Sequence, residues 1–480
     1  MNLTSHRLGL PVLLLILAGC PGRNVSLSAA EGFMAGFDTA EITPPVGWRR
    51  AGGFSELIST GVHDPLFAKA MVLSQGDVSL AFVGNDLCSV PRELTDLARR
   101  KASERTGIPA DHIVIAATHT HGGPEYYGPL RDFLHARTER ENGSRDPREP
   151  IDYRSLLVER WTDVIVRAHA ARRAVRLSVV VPRQHGVAFN RRYLMKDGST
   201  GWIPRKLDPE ILRPLGPTDP DLPFVLARDT ESGRPLGSFT SFAMHSAIYG
   251  GAPFGACYPG HLQTELRRRL DAPDLVSIFG EGCAGDVNHI DPFTDDRQDG
   301  ETYPLRVGEK LAATITEALP FARPIAEGQL TVRSTTIRSP VRSISDEDHS
   351  AARKIMESLD RSDAKFLVVV DAWRKTFCRE YWDRFGGQLP EEVQAFRLDR
   401  DTAIVALPHE VFVELGMAIK AFSPFKTTIV VSLANDLDFY IPTRRAFEEG
   451  NYEPTACPLE PGCGERLVGA AVRLLEELKR

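Results

Sequence analysis

An α/β fold, with mixed β-sheets layered with helices, is what this sequence predicts. Short apolar runs of strand type alternate with helix-like runs along the chain. Segments 177–190 and 329–343 read as antiparallel strands, so the sheets are mixed rather than purely parallel. The chain of 480 residues has 42% hydrophobic and 25% charged residues, an ordinary globular balance that can fill one large domain or two to three smaller ones.

The elements follow in order. Met71–Leu73 and Val78–Val83 flank Gln75-Gly76-Asp77 and predict a hairpin. Pro91–Ser103 predicts a helix, with Ser89 before it and Gly107 and Pro109 after it. Ile113–Ala117 is a short apolar strand. Further strands are expected at 237–244, 275–279, 402–407 and 427–433, and helices at 261–270, 305–318 and 410–421. The polar stretch 136–150, with Asn142-Gly143, Pro147 and Pro150, predicts a surface loop. The Pro/Gly-rich stretch 196–223 is long for a plain connection and predicts a lid or substrate-facing loop. No internal repeat and no low-complexity tract occurs.

Formal net charge is -6 and no long basic block occurs, which argues against a nucleic-acid partner. Nothing in the sequence implies an obligate protein partner. Arg7 precedes the apolar run Leu8–Leu17, which is too short to span a bilayer but suits the core of a signal peptide. The run ends in Leu17-Ala18-Gly19-Cys20, which resembles a bacterial lipobox. The expectation is a lipoprotein signal over 1–19, a tether over 20–32 beginning at lipidated Cys20, and folded sequence from 33 to 480. That describes an exported bacterial lipoprotein, anchored to a membrane surface and facing the periplasm or the cell exterior. A plain secretory signal is the alternative. Export permits disulfides, and Cys457 and Cys463, flanking a Pro/Gly-rich loop, are the expected pair. No Cys-x-x-Cys pair occurs, which argues against a cysteine zinc site.

Several apolar strands run into ionisable residues at their carboxyl ends, where α/β sheets place their ligand crevices. Ile113–Ile115 leads to His119 and His121, and Phe239–Met244 to His245. Leu275–Phe279 leads to Asp286, Ile404–Leu407 to His409 and Glu410, and Ile429–Val431 to Asp436 and Tyr440. In an extended segment His119 and His121 point to one side. His119, His245 and Glu410 would supply the three protein ligands of a catalytic zinc. Singly, each residue also has a structural reading: Glu410 as a first-turn acid of a helix, Asp286 in a glycine turn, Tyr440 as a half-buried aromatic, Arg191 as a solvated charge.

Taken together, the motifs resemble those of the neutral, non-lysosomal ceramidases. The resemblance rests on Phe37-Asp38-Thr39-Ala40-Glu41-Ile42-Thr43-Pro44-Pro45, on Gly61-Val62-His63-Asp64-Pro65-Leu66-Phe67-Ala68-Lys69-Ala70, and most specifically on Ala117-Thr118-His119-Thr120-His121-Gly122-Gly123-Pro124. Phe242-Ala243-Met244-His245, Gly285-Asp286-Val287, Leu407-Pro408-His409-Glu410, Tyr440-Ile441-Pro442-Thr443-Arg444 and Asn451-Tyr452-Glu453 follow in the same order. Blocks 192–235 and 340–390 match poorly.

The resemblance implies a single large ceramidase-like catalytic domain and a zinc-dependent amidase acting on an N-acylated lipid. It places His119, His245, Glu410 and Tyr440 as Zn2+ ligands. It places Asp286 as the acid–base group, His121 with Tyr440 beside the developing oxyanion, and Arg191 facing the substrate. Two departures stand out. Asn288 occupies the place of the family's serine in Gly-Asp-Val-Ser, and the chain ends at Arg480, where the family continues into a β-sandwich domain. Two other readings remain open: a metallo-esterase or phosphoesterase using the same site, and a catalytically silent surface lipoprotein that binds lipid or glycan.

Overall fold

The computed structural model describes residue 1 and residues 32–358, 365–436 and 439–480. The expected signal segment, apart from Met1, and Cys20 lie outside them. Among the described residues no helix is long and apolar enough to cross a membrane.

Two sheets lie face to face with helices on both outer sides. The larger has nine strands, running in the order Val276–Glu281, Pro235–Phe242, Phe224–Asp229, Arg173–Val180, Met34–Glu41, Phe67–Gln75, Val78–Asn85 and Ile113–Ala117, with the short Arg323–Pro324 also on Arg173–Val180. Its two terminal pairs are parallel and the others antiparallel. The smaller sheet has the order Thr331–Pro340, Gln388–Arg397, Thr402–Ala406, Thr427–Val431, with only the last pair parallel. The mixed α/β expectation therefore holds.

Strand alternation explains the layering. Val114 and Ala116 join the core between the sheets, with Phe82, Ile278, Ile404 and Val431. Ile113, Ile115 and Ala117, on the other face of the same strand, pack with Ala98, Leu157 and Trp161 of helices Arg92–Thr106 and Tyr153–Ala170. Likewise Ile404 and Ala406 face the other sheet. Ala403, Val405 and Leu407 face helices Val413–Phe422 and Cys463–Lys479, among others. Helices Cys257–Arg269 and Tyr303–Ala318 cover the edge beside Pro235–Phe242.

Several expectations are corrected. The segment 136–150 is not all loop, because helix Gly128–Glu141 runs into it, burying Leu130, Leu134 and Thr138. Glu410 does not open a helix: it lies in a two-residue strand, and the helix begins at Val413. Segment 196–223 contains strands Thr200–Trp202 and Ile211–Pro214, both paired with Arg192–Met195. The six described cysteines are free thiols. Cys457 and Cys463 are nonetheless buried neighbours.

Candidate active site

The cleft is assembled where strand ends of both sheets meet. After Ala117 the chain turns sharply, with His119 at φ +60°. The segment is thus not extended, as the sequence pattern suggested, yet both imidazoles face one cavity. A backbone in the left-handed region costs a non-glycine residue about 1–3 kcal/mol, and such strain tends to mark functional sites. Asn435, at φ +62°, fastens the turn to the other sheet. Its amide oxygen accepts from Ile115 N at 2.9 Å, and its backbone N–H donates to Ile115 O at 2.8 Å. Gly52, at φ +99°, passes so close that a Cβ there would fall 2.5 Å from the His121 ring.

His119, His245 and Glu410 converge. Glu410 Oε2 lies 3.2 Å from His119 Nε2 and 3.0 Å from His245 Nε2. His119 Nδ1 donates to Cys88 O at 2.7 Å and His245 Nδ1 to Ala284 O at 2.8 Å. Those bonds fix the tautomers, so each Nε2 presents a lone pair. Glu410 Oε2 is buried and has no hydrogen-bond partner. Burial alone would push the Glu410 carboxyl up, but the adjoining His119 and His245 hold it well below the usual carboxylate range. Two imidazole nitrogens and a carboxylate oxygen facing one point fit a divalent cation, and this donor set suits Zn2+.

Around this group stand His121, Arg191 and Tyr440. His121 Nε2 is 3.4 Å from His119 Nε2. Burial, with His119 and His245 alongside, holds its imidazole well below the ordinary pKa and therefore neutral. Arg191 is clamped by Glu453 Oε1 at 2.8 Å and Gly285 O at 2.8 Å, leaving Nη1 3.2 Å from His245 Nε2. The register is thereby decided: Arg191 lines the cleft, while Arg192 turns away to Glu449 and Glu453. The Tyr440 ring stacks 6.4 Å from that of His245, with the Arg191 guanidinium 5.3 Å over its face.

Asp286 does not join them. It is buried and absent from the cleft wall. Oδ1 accepts from Val413 N at 2.9 Å and Oδ2 from the Asn190 amide at 2.7 Å. Burial pushes its carboxyl up to about 6 against those two bonds. Through these bonds Asp286 pins the start of the Val413 helix and, by way of Asn190, the approach to Arg191.

The cavity above this floor measures about 430 Å³. Its walls are aromatic, with Phe54, Trp202, Phe366, Trp373, Phe377 and Tyr452. Trp202 and Ile203 come from the 196–223 segment, which thus contributes to the cleft wall. Asn288 also lines the cleft. Glu125, on the same wall, has its carboxyl pushed up to about 8, chiefly by burial. Sequence reasoning assigned no role to Tyr452, Cys88, Glu125 or Trp202. Tyr452 lies in a matched motif, which was the available signal, whereas the others carry no pattern of their own. A mostly apolar cleft with a few convergent polar groups is the usual form of a small-molecule site.

No protein-family model matches the sequence, and no curated protein matches it. Among solved structures, neutral ceramidase from Pseudomonas aeruginosa aligns with a TM-score of 0.68 at 18% identity, covering 94% of this chain and 75% of that chain. A ceramidase complexed with C2 aligns with a TM-score of 0.68 at 16% identity, again covering 94% of this chain and 75% of that one. Through nearly its whole described length, the chain has the neutral ceramidase fold.

Proposed function

We propose that this protein is a metal-dependent hydrolase of the amide bond in an N-acylated, ceramide-like lipid. The observation that carries the reading is the convergence of His119 Nε2, His245 Nε2 and unpartnered Glu410 Oε2 at the floor of an aromatic cleft. The fold shared with ceramidases supports the amide and the lipid class.

His119, His245 and Glu410 would hold Zn2+, with Tyr440 beside them. Bound there, Zn2+ supplies Lewis acidity, polarising a carbonyl and acidifying water. Hydrolysis places a hydroxyl on the acyl carbon and a proton on the departing nitrogen. His121, neutral and beside His119, is the group positioned to take the proton from water at Nε2 and return it to that nitrogen. The Arg191 guanidinium and the Tyr440 hydroxyl present donors and positive charge to the oxyanion as it develops. The aromatic walls bury hydrocarbon and exclude water from the floor. The lipobox reading of Cys20 belongs with this proposal, because a tether would hold the cleft near lipid. Cys20→Ser would then move the protein from the membrane fraction to the soluble one.

The test is hydrolysis of an N-acyl sphingosine, measured beside a matched ester and a phosphate ester. Amide cleavage that chelation abolishes, Zn2+ restores and His119→Ala removes is the expected result. Cleavage of the ester or phosphate ester alone would transfer the site to the rival chemistry. Lipid binding with no turnover and no bound metal would leave a binding protein.

A further inference from the structure

A second cluster of metal-binding groups lies outside the cleft, where segment 61–64 meets helix Cys257–Arg269. Its members are His63, Asp64 and His261, none of which lines the cleft. His63 Nδ1 is 2.9 Å and His261 Nε2 3.7 Å from Asp64 Oδ2. The three ligand atoms all fall within 4.8 Å of one another.

Neither Asp64 Oδ2 nor His261 Nε2, both buried atoms, has a hydrogen-bond partner. At 3.7 Å the His261 approach is too long for a hydrogen bond, and the 2.9 Å approach of His63 lacks the alignment of one. Leaving a buried polar group unsatisfied costs about 1–3 kcal/mol. Ligands each about 2.0–2.2 Å from one ion are held roughly 3.0–3.5 Å apart, so small adjustments would seat an ion among these atoms.

The scaffold holds the three in place. His63 N donates to Phe254 O at 2.8 Å, and Phe254 N donates to Gly61 O at 2.9 Å. The Tyr249 ring packs 4.9 Å from that of His63. Helix Tyr303–Ala318 rests directly on His261: a Cβ at Gly308 would fall 2.7 Å from His261 Cβ. Glu309 adds negative charge facing His261. The side chains remain partly open to solvent, 29% for His63, 23% for Asp64 and 15% for His261, which leaves room for entry and for water ligands.

We propose that His63, Asp64 and His261 form a second metal site, for a divalent transition ion of which Zn2+ is the fitting one. Two imidazoles and one carboxylate select Zn2+, Ni2+ or Cu2+ over Ca2+ and Mg2+, which take oxygen ligands. The ion clamps segment 61–64 to helix Cys257–Arg269 across the intervening loop. That loop borders the cleft: Ala247 lines it and Ser246 O accepts from His121 N at 3.1 Å. The site is structural and shares no residue with the cleft.

The test counts Zn2+ per full-length chain by elemental analysis after equilibrium dialysis. Two equivalents are expected for the unaltered protein, one for His119→Ala, one for His261→Gln, and none for both changes together. Asp64→Asn and His63→Gln should repeat the His261→Gln result, which guards against a single variant that misfolds. In the His119→Ala background, Zn2+ added after chelation should raise the melting temperature saturably, and His261→Gln should abolish that rise. A count unchanged by all three substitutions, or a rise given by Ca2+ or Mg2+ but not by Zn2+, would overturn the site. A count that falls with His261→Gln but not with His119→Ala would keep this site and remove the metal from the cleft.

Discussion

Glu410 and Tyr440 are register partners in a two-residue parallel pairing, Glu410 opposite Tyr440 and Val411 opposite Ile441. Their chain segments leave the parallel strands Thr402–Ala406 and Thr427–Val431 and then pair again at the floor of the cleft. Backbone hydrogen bonding therefore fixes the distance between a carboxylate and a phenol separated by thirty positions.

That pairing makes Tyr440→Phe informative, because the ring and its strand are preserved while only the hydroxyl is lost. Turnover of the amide should fall roughly 10²–10³-fold, the usual cost of one oxyanion donor. Steady-state kinetics at saturating Zn2+ checks this, and an unchanged kcat would remove the hydroxyl from the chemistry.

His121→Gln keeps bulk and polarity but cannot take up or release a proton. Loss of a general acid–base typically costs about 10²–10⁴-fold. We expect a fall in kcat of that order with the cleft's metal retained. Metal loss alongside the rate would make His121 a ligand instead.

For Asp286→Asn the expectation is reversed. An amide cannot accept both from Val413 N and from the Asn190 amide without presenting N–H to N–H. Stability should drop by about 1–3 kcal/mol, while kcat per folded molecule stays within roughly tenfold, well short of the loss expected for an acid–base group. Denaturant melts beside kinetics separate the two. A thousandfold rate loss with unchanged stability would return the proton-transfer role to Asp286.

Glu391 provides a pH dependence remote from the cleft. Its side chain is wholly buried, with Oε2 accepting from Ser339 Oγ and Oε1 unpartnered. Burial pushes its carboxyl up to about 7 from 4.5. The folded state therefore binds the proton more tightly than the unfolded state. Its contribution is fully present below about pH 4.5 and is lost as pH rises through about 7, a loss of about 3 kcal/mol. Glu391→Gln should flatten that part of the stability profile and leave the variant more stable than the parent at pH 8. Urea melts between pH 4.5 and 8 would show it, and parallel profiles for the two proteins would refute it.

Much of the architecture was legible because it is written locally. The apolar run Ile113–Ala117 and the patterned strand Thr331–Pro340 stand where alternation and length placed them. Glu410 shows the limit of local signals: Pro408 and an acid before an apolar run read as a helix start, yet pairing with Tyr440 makes that residue a strand. Helix Gly128–Glu141 was hidden in a charged stretch because only Leu130, Leu134 and Thr138 face inward.

The sequence by itself determined the mixed α/β class and that the strand ends before His119, Glu410 and Tyr440 carry ionisable residues, since periodicity and motif order are properties of neighbouring residues. Tertiary structure alone decided where those side chains point. It turned Asp286 from the cleft toward Val413, chose Arg191 over Arg192, and drew Trp202, Phe366 and Tyr452 into one wall. The physical reason is that side-chain direction at a strand's end depends on backbone turns such as that at His119, and on hydrogen bonds such as Asn435 to Ile115 across 320 residues. Packing the two sheets together creates those contacts, and no local pattern encodes them.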